Sequence, residues 1–463
     1  MTNNSPTVIL SALLLAGVAF AILIAPLAYD LDIIFVAACL VMLFLIALIL
    51  FCPKWGAPFF MLFLINHPVL SPYVPDYTSP ALTILAALMV LGATRFLIQK
   101  DFTFNFDNKF VSAIIAFVAW TLLYAIANFG KTPRVSFVEI TVPVIMFAAF
   151  SVLEKDQKSV TWAYGGLLVS TCIFCLFFLP DLIYGYQFVP GGFFRSELIP
   201  EEMATLKYTS LSWVINFSAA LSFGLLLCGS ALQRITGLFV FSLLAATSLL
   251  TFSRSAPMGL LGIVMAVCLI LLLKRDYRSL AFIAVITLIV GTVFLSSPIW
   301  SYFAKWKSLE MELYNPDRLS RYWLALDGLK SVAEHPWLGK GAGGSPTHSY
   351  LIDIPWQYGI PAALLFYYAI WRLFRRSWLL MKNAISVAQA GINEAIQIGC
   401  FIAFCATIWQ GIFNPVLRTP AYVIIFWLVR ALENYYWSAQ KAEIPAEAAE
   451  SNAAEPNIKP AKP

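Results

Sequence analysis

Charge is what this sequence is shortest of. Asp, Glu, Lys and Arg supply 12% of its 463 residues, against ~25% in soluble domains, which excludes an ordinary water-exposed globule. Histidine is scarcer still. His67, His335 and His348 are the three, and their separation makes no zinc-ligand spacing. A net charge of +5 is too small for this length to point to nucleic acid. No basic stretch precedes the first apolar run, so that run is expected to stay as an anchor. The eight cysteines lack companion ligands. Cys172 and Cys175 stand in CxxC spacing, but the flanks Ser-Thr-Cys-Ile-Phe-Cys-Leu-Phe-Phe are apolar, so small-residue packing is expected rather than redox or metal chemistry. No metal and no cofactor is expected.

Apolar runs are what the chain has in quantity. Its mean hydropathy is +0.79, and a span needs ~20 apolar residues to cross the hydrocarbon. Runs fall near 8–28, 33–52, 57–70, 80–99, 110–128, 135–152 and 161–180, then 208–228, 235–252, 256–273, 279–297, 354–373, 392–412 and 419–434. The runs at 57–70 and 419–434 are short. The expected fold is an all-α polytopic membrane protein of about 12–14 transmembrane helices. The bundle would occupy residues 1–437, followed by an Ala-, Glu- and Pro-rich tail, 438–463, expected to be disordered and cytoplasmic. With the N-terminus inside, Lys54, Arg95, Lys100, Lys109, Lys155, Lys158 and Arg234 all fall in inner loops. So do Lys274, Arg275, Arg278, Arg372, Arg375, Arg376 and Lys382, as the positive-inside rule asks. The expected location is therefore a bacterial inner membrane. Two long outer loops, about 181–207 and 298–353, then carry Arg195, Lys207, Lys305, Arg318 and Arg321. The second is expected to hold short helices.

Three outer segments have chemical character. Ser253-Arg254-Ser255 lies between two runs, and an arginine at that depth is costly unless it meets an anion, a partner or water. A guanidinium binds phosphate oxygens in bidentate fashion, so Arg254 is either an anion clamp or a snorkelling loop arginine. Arg318 and Arg321 stand in Asn-Pro-Asp-Arg-Leu-Ser-Arg-Tyr-Trp, and the spacing from Arg318 through Leu329 predicts an amphipathic surface helix. The third segment is PWLGKGAGGSPTHSYLIDIPWQYGIPA, from Pro336 to Ala362. Its Gly339, Gly341, Gly343 and Gly344 lack the order of a phosphate-cradling loop and read as a tight turn near the bilayer. Ser345 followed by Pro346 predicts a helix start that puts His348 in the first turn. A neutral imidazole held there by the helix dipole accepts a proton near pH 7; the plain alternative is a capping histidine. His67 and His335 both precede proline and read as structural.

These segments, taken in order, resemble the O-antigen ligase and O-antigen polymerase superfamily. The resemblance spans roughly residues 251–427 and rests on four features. These are Ser253-Arg254-Ser255; Arg318 or Arg321 with Trp323; Pro336-x-x-Gly339-x-Gly341; and His348-Ser349 followed by nine residues, Gly359, two residues and Ala362. Ala362 stands where the family has glycine. The resemblance implies an inverting, metal-independent glycosyl transfer on the periplasmic face, from a glycan on undecaprenyl diphosphate. The acceptor is a hydroxyl on lipid A-core, another glycan or a protein. It further implies that Arg254 and Arg318 or Arg321 hold the diphosphate, that His348 receives or orients the acceptor proton, and that Gly339, Gly341 and Gly359 are structural.

Two other functions fit parts of the sequence. A metal-dependent lipid-linked glycosyltransferase would use an acidic pair in its first outer loop, where Asp30-Leu31-Asp32 lies. A flippase or transporter of lipid-linked sugars would carry ionisable residues at mid-bilayer depth, and the predicted spans are nearly free of them. A polymerase or a protein O-oligosaccharyltransferase carries the same motif set as a ligase and differs in the acceptor.

Overall fold

The computed structural model describes residues 107–127, 147, 150–151, 157–184, 186–189, 193–196, 208–250, 255–296, 321–340, 349–387, 391–413 and 425–440. These form α1 (Asn108–Ala127), α2 (Gln157–Tyr184), the hairpin β1 (Tyr186–Val189) and β2 (Phe193–Ser196), α3 (Tyr208–Cys228), α4 (Ala231–Leu250) and α5 (Ser255–Leu273). They continue as α6 (Tyr277–Ser296), α7 (Arg321–Glu334), α8 (Tyr350–Ser386), α9 (Ile392–Phe413) and a final helix α10, 425–440. α2, α4, α5 and α9 each contain a stretch long and apolar enough to cross a membrane. The described helices therefore follow the hydropathy runs from 110–128 onward. The runs at 8–28, 33–52, 57–70 and 80–99 lie outside the described residues, as does nearly all of 135–152. α10 continues to 440, past the expected end of the bundle at 437. The small antiparallel hairpin, pairing Tyr186 with Ser196, is an addition to the all-helical expectation.

Local chemistry explains several helix starts. Ser230 and Gln233 make a reciprocal capping box before α4: the Ser230 amide donates to Gln233 Oε1 (2.8 Å), and the Gln233 amide donates to Ser230 Oγ (3.5 Å). Asp276 caps α6, where the Ser279 hydroxyl (2.7 Å) and amide (3.1 Å) hold its carboxyl below the usual range. Asp107 accepts from the Lys109 amide at the start of α1 (3.1 Å) and from Arg372 Nε of α8 (2.8 Å), joining those two helices.

Close backbone approach sets the centre. A Cβ on Gly224 of α3 would lie 2.1 Å from the Ala395 carbonyl oxygen of α9, and one on Gly399 would lie 2.6 Å from the Leu221 oxygen. Small residues at such a crossing let packing replace the hydrophobic drive that lipid removes. Tyr164 of α2 reaches the same crossing and donates to the Leu221 oxygen (2.6 Å). The outer helices face the other way: Leu232, Ile235, Leu238 and Phe239 on α4, and Phe282, Leu288, Ile289 and Val293 on α6, are exposed. An apolar surface of that extent suits lipid rather than water.

One expectation fails here. The spans are not nearly free of ionisable residues, because Arg430 and Glu433 of α10 pair at 2.6 Å, both fully buried. Arg430 also donates to the Cys400 oxygen of α9 (2.9 Å) and lies over the rings of Phe404 and Phe426. Glu433 accepts from Ser377 Oγ (2.5 Å), and Arg376 donates to Asn434 Oδ1 (2.7 Å). Arg376 is thus a buried residue of α8 rather than a loop cation. The network ties α8, α9 and α10 together, with the Arg430 charge paired directly to Glu433 and Arg376 held by the Asn434 amide oxygen. Replacing Arg430 with Met alone strands Glu433 and is expected to cost about 3–5 kcal/mol. The double replacement Arg430→Met with Glu433→Leu should recover most of it. Thermal unfolding in detergent checks this, and a single variant as stable as the parent would refute it.

Candidate active site at one end of the bundle

The sequence-predicted residues flank helix starts. Arg254 immediately precedes α5, Arg321 is the first residue of α7, and His348 immediately precedes Ser349, the N-cap of α8. α5 runs antiparallel to α9, with Gly259 beside Gln410 and Gly262 beside Trp409. α8 also leads into α9 through a short turn. The starts of α5 and α8 therefore lie at the same end of the bundle. Arg254, Arg318, Gly341 and His348 themselves lie outside the described residues, and of Arg321 the backbone alone is described. The amphipathic helix expected from Arg318 to Leu329 is present as α7, Arg321–Glu334, with Gly328 and Ser331 buried and Leu329 exposed. Exposed His335 contributes its carbonyl, which accepts from the Gly339 amide (3.0 Å).

The helix start predicted at Ser345 is corrected. α8 begins at Tyr350 with Ser349 in extended backbone (φ −134°), and the amides of Ile352 and Asp353 donate to the Ser349 oxygen (3.0 and 2.8 Å). His348 is thus one residue before the cap rather than inside the first turn. Ser345-Pro346 is a helix-start signal, but Ser349 takes the N-cap position without a side-chain cap bond, and the apolar run that the bundle buries follows it directly. Sequence reasoning missed Asp353 in that first turn, a carboxylate 4% exposed. An acidic residue within the first turn of a helix that enters an apolar core was the available signal.

The two motif glycines meet. At Gly359 (φ +83°, ψ +168°) α8 leaves helical geometry, and Gly339 also has positive φ (+68°). In an unbroken helix the Ile360 amide would donate to the Trp356 oxygen. Here the Ile360 amide donates to the Pro336 oxygen (2.8 Å), and the Trp356 oxygen accepts from the Lys340 amide (2.7 Å). The segment Pro336–Lys340 is thus clasped into an opening in the helix. A Cβ on Gly359 would fall 2.1 Å from the Trp337 oxygen, and one on Gly339 would fall 2.6 Å from the Gln357 oxygen. Contact with no side chain between the two backbones is what both glycines permit. The prolines explain why the helix opens. Pro361 offers no amide to Gln357, and Pro355 offers none to Leu351. Tyr367, further down the same helix, donates to the Leu351 oxygen (2.8 Å). Trp120 Nε1 of α1 donates to the Tyr358 oxygen (3.1 Å). Ala362 is fully buried in a small cluster with Phe117, Tyr124, Ile354, Tyr358 and Ala363, which explains a small residue at that motif position.

Lys340 and Ser349, which flank residues 341–348, are therefore both fixed on α8. Among the described residues no group of His, Cys, Asp and Glu is arranged to hold a metal ion. Cys175 is fully buried and Cys172 partly so, and both are free thiols within α2. Gly359→Ala and Gly339→Ala each force a side chain into this clasp at positive φ and should lower stability by about 1–3 kcal/mol. Thermal unfolding reads this, and unchanged midpoints would show that the clasp does not hold.

No curated protein matches this chain. Residues 239–367 match the family described as O-antigen ligase. The match runs from within α4, across the Arg254 turn, α5, α6 and the Arg321 helix, to the clasped segment of α8. The order of motifs, the helical membrane bundle and this match agree in supporting the O-antigen ligase/polymerase superfamily, with residues 239–367 as the matched O-antigen ligase region.

Proposed function

We propose that this protein transfers a glycan from undecaprenyl diphosphate to an acceptor hydroxyl on the periplasmic side of the inner membrane, with both termini cytoplasmic. The observation that carries the reading is the clasp between Pro336–Lys340 and the opened helix at Gly359, because it ties the loop of one motif to the helix of another. The starts of α5 and α8, which follow Arg254 and His348 in the sequence, lie at the same end of the bundle, and this supports the reading.

The acceptor oxygen attacks the anomeric carbon of the donor sugar from the face opposite the diphosphate. A new carbon–oxygen bond forms while the bond to the diphosphate breaks, inverting the configuration. His348 takes the proton that the acceptor hydroxyl loses. The departing undecaprenyl diphosphate gains negative charge, which Arg254 and Arg318 or Arg321 stabilise from fixed positions. No metal or cofactor is needed in this scheme. The acceptor hydroxyl belongs to lipid A-core, to a growing glycan or to a protein, and the last two would make the same chemistry a polymerase or an O-oligosaccharyltransferase.

His348→Ala should lower transfer about 10²–10⁴-fold, with lipid-linked glycan accumulating on the periplasmic face. Arg254→Lys should restore less than half of the parental rate, since an ammonium cannot reproduce bidentate contact. Transfer should survive chelation and Asp30→Asn with Asp32→Asn. Accumulation on the cytoplasmic face, or a His348→Ala strain that makes normal amounts of linked polymer, would end this reading. The polymer lost on gene deletion identifies the acceptor.

A further inference from the structure

We propose that Asn216 of α3, which belongs to none of the motifs, is a positioning residue that fixes the end of α4 and the start of α5, the helix that Arg254 immediately precedes in the sequence. Asn216 is 1% exposed. Its Oδ1 accepts from Ser248 Oγ of α4 at 2.7 Å, and its Nδ2 donates to the Ala256 oxygen of α5 at 3.0 Å. One side-chain amide therefore grips both sides of residues 249–255, from a third helix that packs in the centre of the bundle.

The site is shaped for this amide. A Cβ on Gly259, one turn below Ala256, would lie 2.1 Å from Asn216 Nδ2 and 2.6 Å from Gln410 Oε1. Glycine leaves the space that Asn216 occupies. Gln410 is 1% exposed, and neither its Oε1 nor its Nε2 has a hydrogen-bond partner among the described residues. A buried amide in that condition is destabilising, and an Asn at this depth adds its own desolvation. Leucine would pack the same volume without either cost, so bundle stability alone does not account for the polar pair. What the polar pair adds is a fixed start for α5, directly after Arg254. A clamp on a diphosphate loses much of its effect if its anchor shifts, since ~1 Å of misplacement can cost ~10²-fold in rate. The inference rests on the reading that Arg254 binds the donor.

The test uses the full chain in detergent, with hydrogen exchange read on peptides spanning 249–258, and membranes supplied with the cell's own undecaprenyl-linked glycan for transfer rates. Asn216→Leu removes both bonds. Asn216→Asp keeps the shape and the Ser248 contact but removes the donor to Ala256, and serves where the leucine variant fails to fold. Ser248→Ala removes the other bond alone. The expected result is exchange at the start of α5 about tenfold faster, with protection in α9 unchanged. Transfer should fall on the order of 10²-fold, and Asn216→Asp should cost nothing further in an Arg254→Ala background. Unchanged exchange at 249–258 overturns the inference and leaves the donor reading standing. Independent losses in the double variant overturn it too, because they mark a general structural role. Parental transfer by Arg254→Ala itself overturns the donor reading and this inference together.

Discussion

A helix that crosses lipid has no water to satisfy its backbone, so every carbonyl that a proline strands must find a donor inside the protein. α8 carries two such prolines within seven residues, Pro355 and Pro361. The Tyr367 hydroxyl donates to the Leu351 carbonyl that Pro355 strands, while the Trp120 indole and the Lys340 amide answer the Tyr358 and Trp356 carbonyls beside the opening at Gly359. The Lys340 bond matters most for function, since it fixes a loop on the opened helix. Without the opening at Gly359, Trp356 and Ile360 would bond to each other, and nothing in the helix would be left to receive Lys340.

The same logic runs through the bundle. Polar groups are kept where they join elements: Tyr164 at the α3–α9 crossing, Asp107 between α1 and α8, and Arg430 with Glu433 among α8, α9 and α10. Each group finds its partner on another helix or at a helix end, so these bonds specify which helices adjoin in a setting where apolar contacts discriminate poorly. The Arg430–Glu433 pair removes a distinction that sequence reasoning used against transport. Among the described residues this buried charge is bonded between α8, α9 and α10.

Hydropathy made the helices from 108 onward legible, because a span is a length of apolar chain and length is written in sequence. The register of α3 and α9 agrees with its run to within a residue at each end. The motif residues were also legible, as types in an order. What those glycines do was not, because Gly339 and Gly359 are twenty residues apart and their contact is a property of the folded backbone. Asn216 left no trace for a similar reason: an Asn in an apolar run looks the same whether it faces lipid or grips two neighbouring helices. The misplaced start of α8 shows competition between signals. Ser345 and Ser349 are both of a type that caps helices, and burial of the residues that follow decides between them. The run at 354–373 reads as one plain span, because sequence does not show that the helix opens at Gly359 to receive a loop.

The clasp also fixes a phase. Ser349 and Trp356 stand on one short stretch of helix, the first as its cap and the second as the anchor for Lys340. Each residue of an α-helix turns about 100° around the axis and rises about 1.5 Å. One residue inserted between those two positions would swing the cap by nearly a third of a circle while Lys340 stayed in place. Spacing in this part of the chain is thus governed by rotation rather than by distance, and whatever precedes Ser349 inherits its bearing from the helix below.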